Sequence, residues 1–247
     1  LRRAKRRGIF IMENIYTVDD LLIMLDQLLK ENTHFNWNNF YSNRERDVPF
    51  FYNCPDENLV EYFSTNLFRT GMKVLELGCG PGRNAIFFAE NGCSVDAVDQ
   101  SEEALNWGKE RVRDTNLPVH FVKENIFELN IEESSYDIIY DSGCFHHIAP
   151  HRRVSYLNLI KRAIKPNGFY ALTCFEVGGK YGGSELTDWD VYRRYSLEGG
   201  IGYTEEKLRA IFKDFKEIEI RKMKSMNQNN IMAIDGFMTA LFQMKTL

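Results

Sequence analysis

The sequence predicts an α/β protein built around a mostly parallel sheet, and three observations support this fold class. From residue 72 onward, short apolar runs that suit strands alternate with helical patterns. Turn or capping residues, such as the glycines after residue 77, separate these runs. The chain has 247 residues, of which 44% are hydrophobic, enough for one large domain with a core. Strands that alternate with helices form parallel pairs with right-handed crossovers.

The first 70 residues precede this alternation and are interpreted as an N-terminal extension. Apolar residues at helical spacing predict a helix over 17–31, with Thr17 as its N-cap. Residues 34–52 are rich in aromatics without a clean period, which indicates a lid or a docking segment. A further helix is predicted over 55–68. Residues 71–247 then form the main domain, with an insertion at about 176–202.

The main domain is predicted to contain seven strands. The predicted strands are 72–77, 94–99, 119–122, 136–141, 168–175, 216–223 and 235–244. The predicted helices between them are 84–91, 102–114, 151–164 and 203–214, with Ser101 and Thr204 as N-caps. The last two strands are long enough to pair antiparallel with each other.

The basic N-terminal stretch "LRRAKRRGIF" has two interpretations. Residues 1–11 are either a translated leader before a natural start at Met12, or a basic arm for anionic partners. The apolar run behind the basic residues is too short for a secretory signal. The intact mass of natively expressed protein distinguishes the two interpretations.

Charge and cysteine content narrow the function classes. The net charge of -4 argues against a nucleic-acid-binding surface. The best apolar run, "LLIMLDQLL", is interrupted by Asp26 and is shorter than the roughly 18 residues of a membrane span. The five cysteines are odd in number and form no CxxC pair, so we expect reduced thiols in a cytoplasmic protein and no structural zinc site. The sequence gives no oligomeric state.

The stretch "VLELGCGPGRN" predicts a buried strand that runs into a ligand-binding loop. It does not fit the dinucleotide pattern G-x-G-x-x-G, whose third glycine is replaced by Arg83, and no Lys-Ser or Lys-Thr completes a P-loop. Its pattern is an acid followed by three alternate glycines: Glu76, Gly78, Gly80 and Gly82. An acid beside exposed backbone groups suits a ligand that carries an ammonium and a carboxylate.

Two further strand ends refine the ligand. Asp99 ends the second strand, where an acid accepts hydrogen bonds from both hydroxyls of a ribose. After the third strand, the side-chain oxygen of Asn125 is placed to accept from an adenine amine, and the Ile126 N–H to donate to the ring. An adenosine with an amino-acid tail and no phosphate is S-adenosylmethionine.

The stretch "VLELGCGPGRNAIFFAENGCSVDAVDQSEEAL" resembles the cofactor-binding region of class I S-adenosylmethionine-dependent methyltransferases, and the resemblance extends over residues 72–176. In detail it is similar to the small-molecule branch that includes the thiopurine and tellurite-resistance enzymes. The resemblance implies a Rossmann-like sheet of seven strands, mostly parallel with an antiparallel last strand, and helices on both faces. This sequence departs from the family pattern at Asn125, where the family commonly has Asp.

The predicted cofactor site combines the glycine loop, the strand ends and the turn after the third strand. Its residues are Glu76, Gly78, Cys79, Gly80, Gly82, Asp99, Gln100, Asn125, Ile126 and Asp141. No metal is predicted.

The predicted acceptor site lies near the end of the fourth strand. Asp141, His146 and His147 are the candidates for a general base or for substrate positioning; the histidines equally fit a role in packing behind the cofactor. Two aromatic lids, 34–52 and 176–202, are expected to supply the pocket walls. Their candidate substrate-binding residues are Trp37, Tyr41, Tyr181 and Trp189, although Trp189, Tyr192 and Tyr195 also have the spacing of a buried helix face.

The sequence therefore favours methyl transfer to a small-molecule acceptor by in-line displacement under aromatic lids. The segment "DSGCF" lacks the Asn/Asp-Pro-Pro-aromatic tetrad of DNA amino-methyltransferases, which argues against a DNA substrate. Two other function classes stay open: a methyltransferase that modifies protein or RNA, and a protein that binds S-adenosylmethionine without transferring its methyl group.

Overall fold

The computed structural model describes residues 5–6, 9–10, 14–31, 35–225 and 230–245. The leader interpretation of residues 1–11 concerns a stretch that lies mostly outside these residues, so it stays a prediction. A short antiparallel pair, β1 (Lys5–Arg6) and β2 (Ile9–Phe10), comes first in the chain.

The main sheet has seven strands, as the sequence predicts. They are β3 (Lys73–Leu77), β4 (Ser94–Asp99), β5 (Val119–Lys123), β6 (Tyr136–Ser142), β7 (Ile164–Phe175), β8 (Lys216–Lys222) and β9 (Phe237–Gln243). Their order is β5-β4-β3-β6-β7-β9-β8. The first five are parallel to one another, and β9 is antiparallel to both of its neighbours. The chain winds outward in one direction from β3 to β5 and in the other from β6, so a crevice opens at the carboxyl ends of β3 and β6.

The helices pack on both faces of the sheet. They are α1 (Val18–Lys30), α2 (Trp37–Ser42), α3 (Glu57–Ser64), α4 (Arg83–Glu90), α5 (Glu102–Val112), α6 (Arg153–Ala163), α7 (Asp188–Arg194) and α8 (Glu205–Ile211). Alternate residues of β3 face opposite sides, as strand geometry requires. Leu75 packs in the cluster that contains Tyr156 of α6, whereas Val74 packs in the cluster that contains Phe88 of α4.

The three N-caps predicted from the sequence are confirmed by side-chain hydrogen bonds. Thr17 accepts from the Asp20 N–H, and Ser101 and Thr204 cap α5 and α8 in the same way. The longest described helix, α1, has 13 residues, and none of the described helices is long and apolar enough to span a membrane.

The start of the fifth main-sheet strand differs from the sequence prediction. The segment predicted as a turn between α6 and the fifth main-sheet strand belongs to β7, which begins at Ile164 instead of residue 168. Tyr136 pairs with Ile164, but Ile138 pairs with Phe169, so the turn residues form a bulge within the strand pairing. Asn167 at this bulge has a positive φ of 62°.

The insertion at 176–202 is part of the packed domain. Leu186, Val191 and Ile201 are buried in the same cluster as α6. Isolated bridges join Glu176 to Tyr203 and Ser184 to Ile201. These contacts anchor both ends of the insertion beside the carboxyl end of β7.

Candidate functional site

A cavity of about 540 Å³ lies at the carboxyl ends of β3, β4, β6 and β7. One side of it, the cofactor side, is formed by the glycine loop and the polar residues that follow the strands. The residues of the cofactor side are Glu76, Gly78, Cys79, Gly80, Asp99, Gln100, Asn125 and Ile126. The other side, the aromatic side, is lined by Trp37, Tyr41, Phe50, His146, His147, Phe175, Leu197, Met232 and Phe237.

The glycine loop takes a backbone shape that side chains would oppose. Gly78, Gly80 and Gly82 have φ values of 68°, 53° and 73°. A Cβ on Gly78 would lie 2.6 Å from the Cβ of Cys144, and one on Gly82 would lie 2.7 Å from the Phe121 ring. Gly78 and Gly80 line the cavity. The structure places Gly82 outside the lining, at the start of α4, so its part in the site is to shape the loop.

Asp99 ties the glycine loop to the end of β4. It is 8% exposed, and its Oδ2 accepts a hydrogen bond of 2.9 Å from the Gly80 N–H. Its Oδ1 accepts one of 2.8 Å from the Ser101 N–H. Burial raises the pKa of this carboxyl. Each oxygen keeps a second lone pair, so Asp99 can still accept hydrogen bonds from a ligand in the cavity.

Glu76 offers the cavity an unsatisfied oxygen. The side chain is 2% exposed, and its Oε2 has no hydrogen-bond partner among the residues that the structure describes. Burial raises the pKa of this carboxyl to about 8. Because an unpaired buried carboxylate is costly, a cationic group bound here would satisfy it.

The turn after β5 is organised by Asn125. Its Oδ1 accepts a hydrogen bond of 3.1 Å from the Phe127 N–H, and both Asn125 and Ile126 line the cavity. The atom predicted to meet an adenine amine therefore already has one donor, and its second lone pair remains for a ligand.

Asp141 is turned away from the cavity, contrary to the sequence expectation. It is fully buried and does not belong to the described lining. Its Oδ1 accepts from the N–H groups of Cys144 and Phe145, at 2.9 and 3.2 Å, and its Oδ2 accepts from the Tyr156 hydroxyl. Burial raises its pKa to about 7. The carboxyl thus holds the loop that carries the two histidines, so the predicted cofactor contact and catalytic role are corrected to a structural role.

The aromatic side is built mainly by α2 and the end of β7. The Trp37 ring meets the His147 ring edge-on, with centroids 4.9 Å apart. The hydroxyl of Tyr41 lies beside Gly80, where an added Cβ would be 2.9 Å away. His146 is 2% exposed and stacks on Phe175. These contacts bring Trp37, Tyr41 and both histidines to one side of the cavity, and their roles toward an acceptor stay predictions.

The other two predicted substrate residues do not line this cavity. Trp189 is 74% exposed and borders a separate surface depression. α7 buries Val191 on its opposite face, which turns Trp189 toward solvent. Tyr181 is 42% exposed and its ring lies 6.1 Å from that of Phe237. The expectation that Tyr181 and Trp189 wall the acceptor pocket is therefore corrected.

Several charged residues of the lining were not predicted as site residues from the sequence, and two of them, Arg83 and Asp26, form ion pairs. Arg83 is buried, lies 2.7 Å from Asp56 in an ion pair and donates to Ser142 Oγ at 2.8 Å. Asp26 of α1 accepts a hydrogen bond of 2.8 Å from His151 Nε2 and forms an ion pair with Arg152. These two contacts hold α1 at the edge of the cavity. One signal for these residues was present in the sequence, which is the charge of Arg83 directly after the glycine loop. The partners of Arg83 and Asp26 lie far from them in the chain, so the pairs could not be predicted.

The described residues contain no group of three or more His, Cys, Asp or Glu side chains that could hold a metal ion. The five cysteines all lie in the described part of the chain, and none of them forms a disulfide bond there.

Comparison with known proteins finds a methyltransferase domain in part of the chain. A methyltransferase domain family matches residues 74–168. The chain is 30% identical over 123 residues to an uncharacterized methyltransferase of Synechocystis, a match that covers 49% of this chain and 52% of that relative. The matched stretch therefore spans about half the length of this relative.

Two solved structures share the fold. One is the 1,6-didemethyltoxoflavin-N1-methyltransferase of Burkholderia thailandensis, bound to its substrate and S-adenosylhomocysteine, with a TM-score of 0.61, 18% identity and coverage of 96% of this chain and 94% of that one. The other is the tellurite-resistance protein TehB of Haemophilus influenzae, with a TM-score of 0.56, 21% identity and coverage of 76% and 62%. The domain match supports an S-adenosylmethionine-dependent methyltransferase, and the two solved structures show the shared fold. Residues 74–168 of the chain match the methyltransferase domain that the sequence resemblance predicted.

Proposed function

We propose that this protein transfers the methyl group of S-adenosylmethionine to a small-molecule acceptor bound on the aromatic side of the cavity. The observation that carries the proposal is the cavity of about 540 Å³ at the carboxyl ends of the strands, which joins a polar side to an aromatic side. Its volume lies in the range of about 300–1,000 Å³ that is typical of small-molecule sites. A cytoplasmic location, which the cysteine content of the sequence favours, is part of this proposal.

The residues of the cofactor side fit S-adenosylmethionine. We assign the unsatisfied Oε2 of Glu76 to its ammonium, the free lone pairs of Asp99 to its ribose, and the turn at Asn125 and Ile126 to its adenine. Gly78 and Gly80 line the cavity, so their backbone groups lie beside the proposed cofactor position. When bound, the cofactor supplies a methyl group that is already activated by its sulfonium.

The chain then contributes positioning and exclusion of water. The Asp141 carboxyl is enclosed by the loop that it holds, and burial lowers the pKa of His147 to about 4, which makes it a weak base. A reaction that needs no strong base fits this site best. Thiols, chalcogenide anions and aromatic ring nitrogens are such nucleophiles, so alignment near the methyl group is the main task of the aromatic side.

We propose that α2 and its neighbours act as a lid within the N-terminal extension of residues 1–70. Asn38 accepts a hydrogen bond of 2.9 Å from Ser101 Oγ, and Arg44 pairs with Glu110 of α5 at 2.5 Å. These contacts connect the segment to the cofactor side through exposed or half-buried groups, which can open and reclose. Residue 34, the first of the predicted lid, lies outside the described part of the chain.

Hydrogen exchange tests the lid. Addition of S-adenosylhomocysteine is expected to increase amide protection in residues 35–52 and in the glycine loop at 78–82, because closure excludes water. The insertion at 176–202 is expected to change less, since only Leu197 of that segment lines the cavity. Residues of α8 serve as an internal control. Protection of the glycine loop with unchanged exchange in 35–52 would show that this segment is no cofactor-dependent lid.

Turnover tests the proposed function. Release of S-adenosylhomocysteine is measured with thiols, thiopurines, chalcogen anions, phenols and amines as candidate acceptors. We expect turnover with acceptors of the first three classes. Turnover only with protein or RNA would contradict the small-molecule assignment, and tight cofactor binding without turnover on any acceptor would indicate a binding protein.

A further inference from the structure

The hydrogen bonds of the two adjacent histidines fix which ring nitrogen carries each proton. The Phe175 N–H donates to His146 Nδ1 at 3.2 Å. A backbone N–H can only donate, so Nδ1 of His146 must offer a lone pair. A neutral His146 therefore carries its proton on Nε2. That nitrogen lies 3.1 Å from Nε2 of His147, which must then accept, so the neutral His147 carries its proton on Nδ1.

His146 is held firmly in this orientation. Its ring stacks on Phe175 with centroids 3.7 Å apart and an interplanar angle of 18°. Its carbonyl accepts a hydrogen bond of 2.8 Å from the Ile201 N–H, which ties it to the insertion. Burial lowers the pKa of both histidines, so both are neutral at about pH 7.

His147 lines the cavity beside Trp37, on the aromatic side. We infer that its Nδ1–H is a fixed hydrogen-bond donor for the methyl acceptor, and that the acceptor is a planar molecule with a carbonyl, thione, ring nitrogen or thiolate. This inference rests on the proposed function and narrows its substrate class. His147 acts as a donor that selects and orients the acceptor, while His146 is a positioning residue that acts through it.

The same arrangement disfavours other acceptors. An ammonium group has no lone pair, so it cannot accept a hydrogen bond from the His147 N–H, and two donors would face each other. A plain hydrocarbon ring would leave that N–H unpaired, at the cost of its desolvation. The aromatic side therefore selects for one polar atom on a flat molecule.

Nitrogen-15 NMR of the histidine side chains tests the proton positions without any acceptor. We expect the Nδ1–H tautomer at His147 and the Nε2–H tautomer at His146 at about pH 7. His120, which lies on β5 with its side chain 75% exposed, is the internal control. In His146→Phe, which lacks the bond between the rings, His147 is expected to lose its tautomer preference. A protonated His147, or an Nε2–H tautomer in the unaltered protein, would overturn the inference.

Binding of two matched probes tests selectivity. Quinolin-4-one offers a carbonyl and naphthalene has none. With S-adenosylhomocysteine present, His147→Phe is expected to weaken quinolin-4-one binding by about 3- to 10-fold, whereas naphthalene binding should stay the same or tighten, because the unpaired N–H is gone. His147→Asn keeps an N–H donor and should restore part of the loss. No binding of quinolin-4-one to the unaltered protein, or an equal loss for both probes, would refute the donor role.

The two proposals fail in different ways. If His147 is the Nδ1–H tautomer but no acceptor is methylated, the proposed function fails on its own. If small acceptors are methylated but His147 is the Nε2–H tautomer, only this inference fails.

Discussion

Asp99→Ala is expected to weaken the binding of S-adenosylhomocysteine by about 30- to 1,000-fold. We assign two ribose hydroxyls to this carboxylate, and a hydrogen bond to a charged group contributes roughly 1.5–3 kcal/mol. Asp99 also fixes the glycine loop through the Gly80 N–H, so the loss includes some loop order. After allowance for imperfect geometry, the expected loss is about 2–4 kcal/mol, measurable by calorimetric titration.

Asp96→Ala is the matched control for this change. Asp96 lies on the same strand, and its contacts are with Lys73, His120 and Tyr136 on the surface away from the cavity. It should leave the affinity unchanged. An unaltered dissociation constant in a folded Asp99→Ala protein would remove the ribose assignment.

Glu76→Gln is expected to weaken S-adenosylhomocysteine binding by about 10- to 100-fold, because the ammonium loses its charged partner. The change should also alter the dependence of binding on pH. Burial raises the pKa of Glu76 to about 8 in the free protein, so the carboxyl holds a proton at neutral pH. A bound ammonium favours the carboxylate and lowers that pKa. The complex therefore holds fewer protons than its separate parts, and affinity falls as the pH drops below about 8, by up to about tenfold per pH unit.

Calorimetry in buffers of different ionisation enthalpy measures this proton directly. At about pH 6, binding to the unaltered protein should release about one proton, and binding to Glu76→Gln should release almost none. Equal proton release in the two proteins would show that Glu76 does not meet the ammonium.

Much of the cofactor side could be predicted because its signals are local. Glu76 and Asp99 each stand at or near the end of an apolar strand, and parallel strands bring their carboxyl ends to one edge. The alternate glycines predict a loop of positive φ, which the structure confirms. The seven-stranded sheet and its antiparallel last strand follow from the same alternation together with the family resemblance.

The parts that could not be predicted depend on contacts between distant segments. Asp141 stands at a strand end like Asp99, but the N–H groups of the following loop turn it inward. Trp189 has the spacing of a buried face, yet α7 packs through Val191 instead. The ion pair of Arg83 with Asp56 joins residues whose proximity appears only once α3 packs beside α4.

Substrate size separates the proposed function from its rivals most directly. The protein is incubated with methyl-labelled S-adenosylmethionine and a cell extract, and the products are divided by ultrafiltration into small molecules, RNA and protein. The account predicts label in the small-molecule fraction, lost with Asp99→Ala and retained with Asp96→Ala. Label that depends on Asp99 but accumulates in protein or RNA would contradict it.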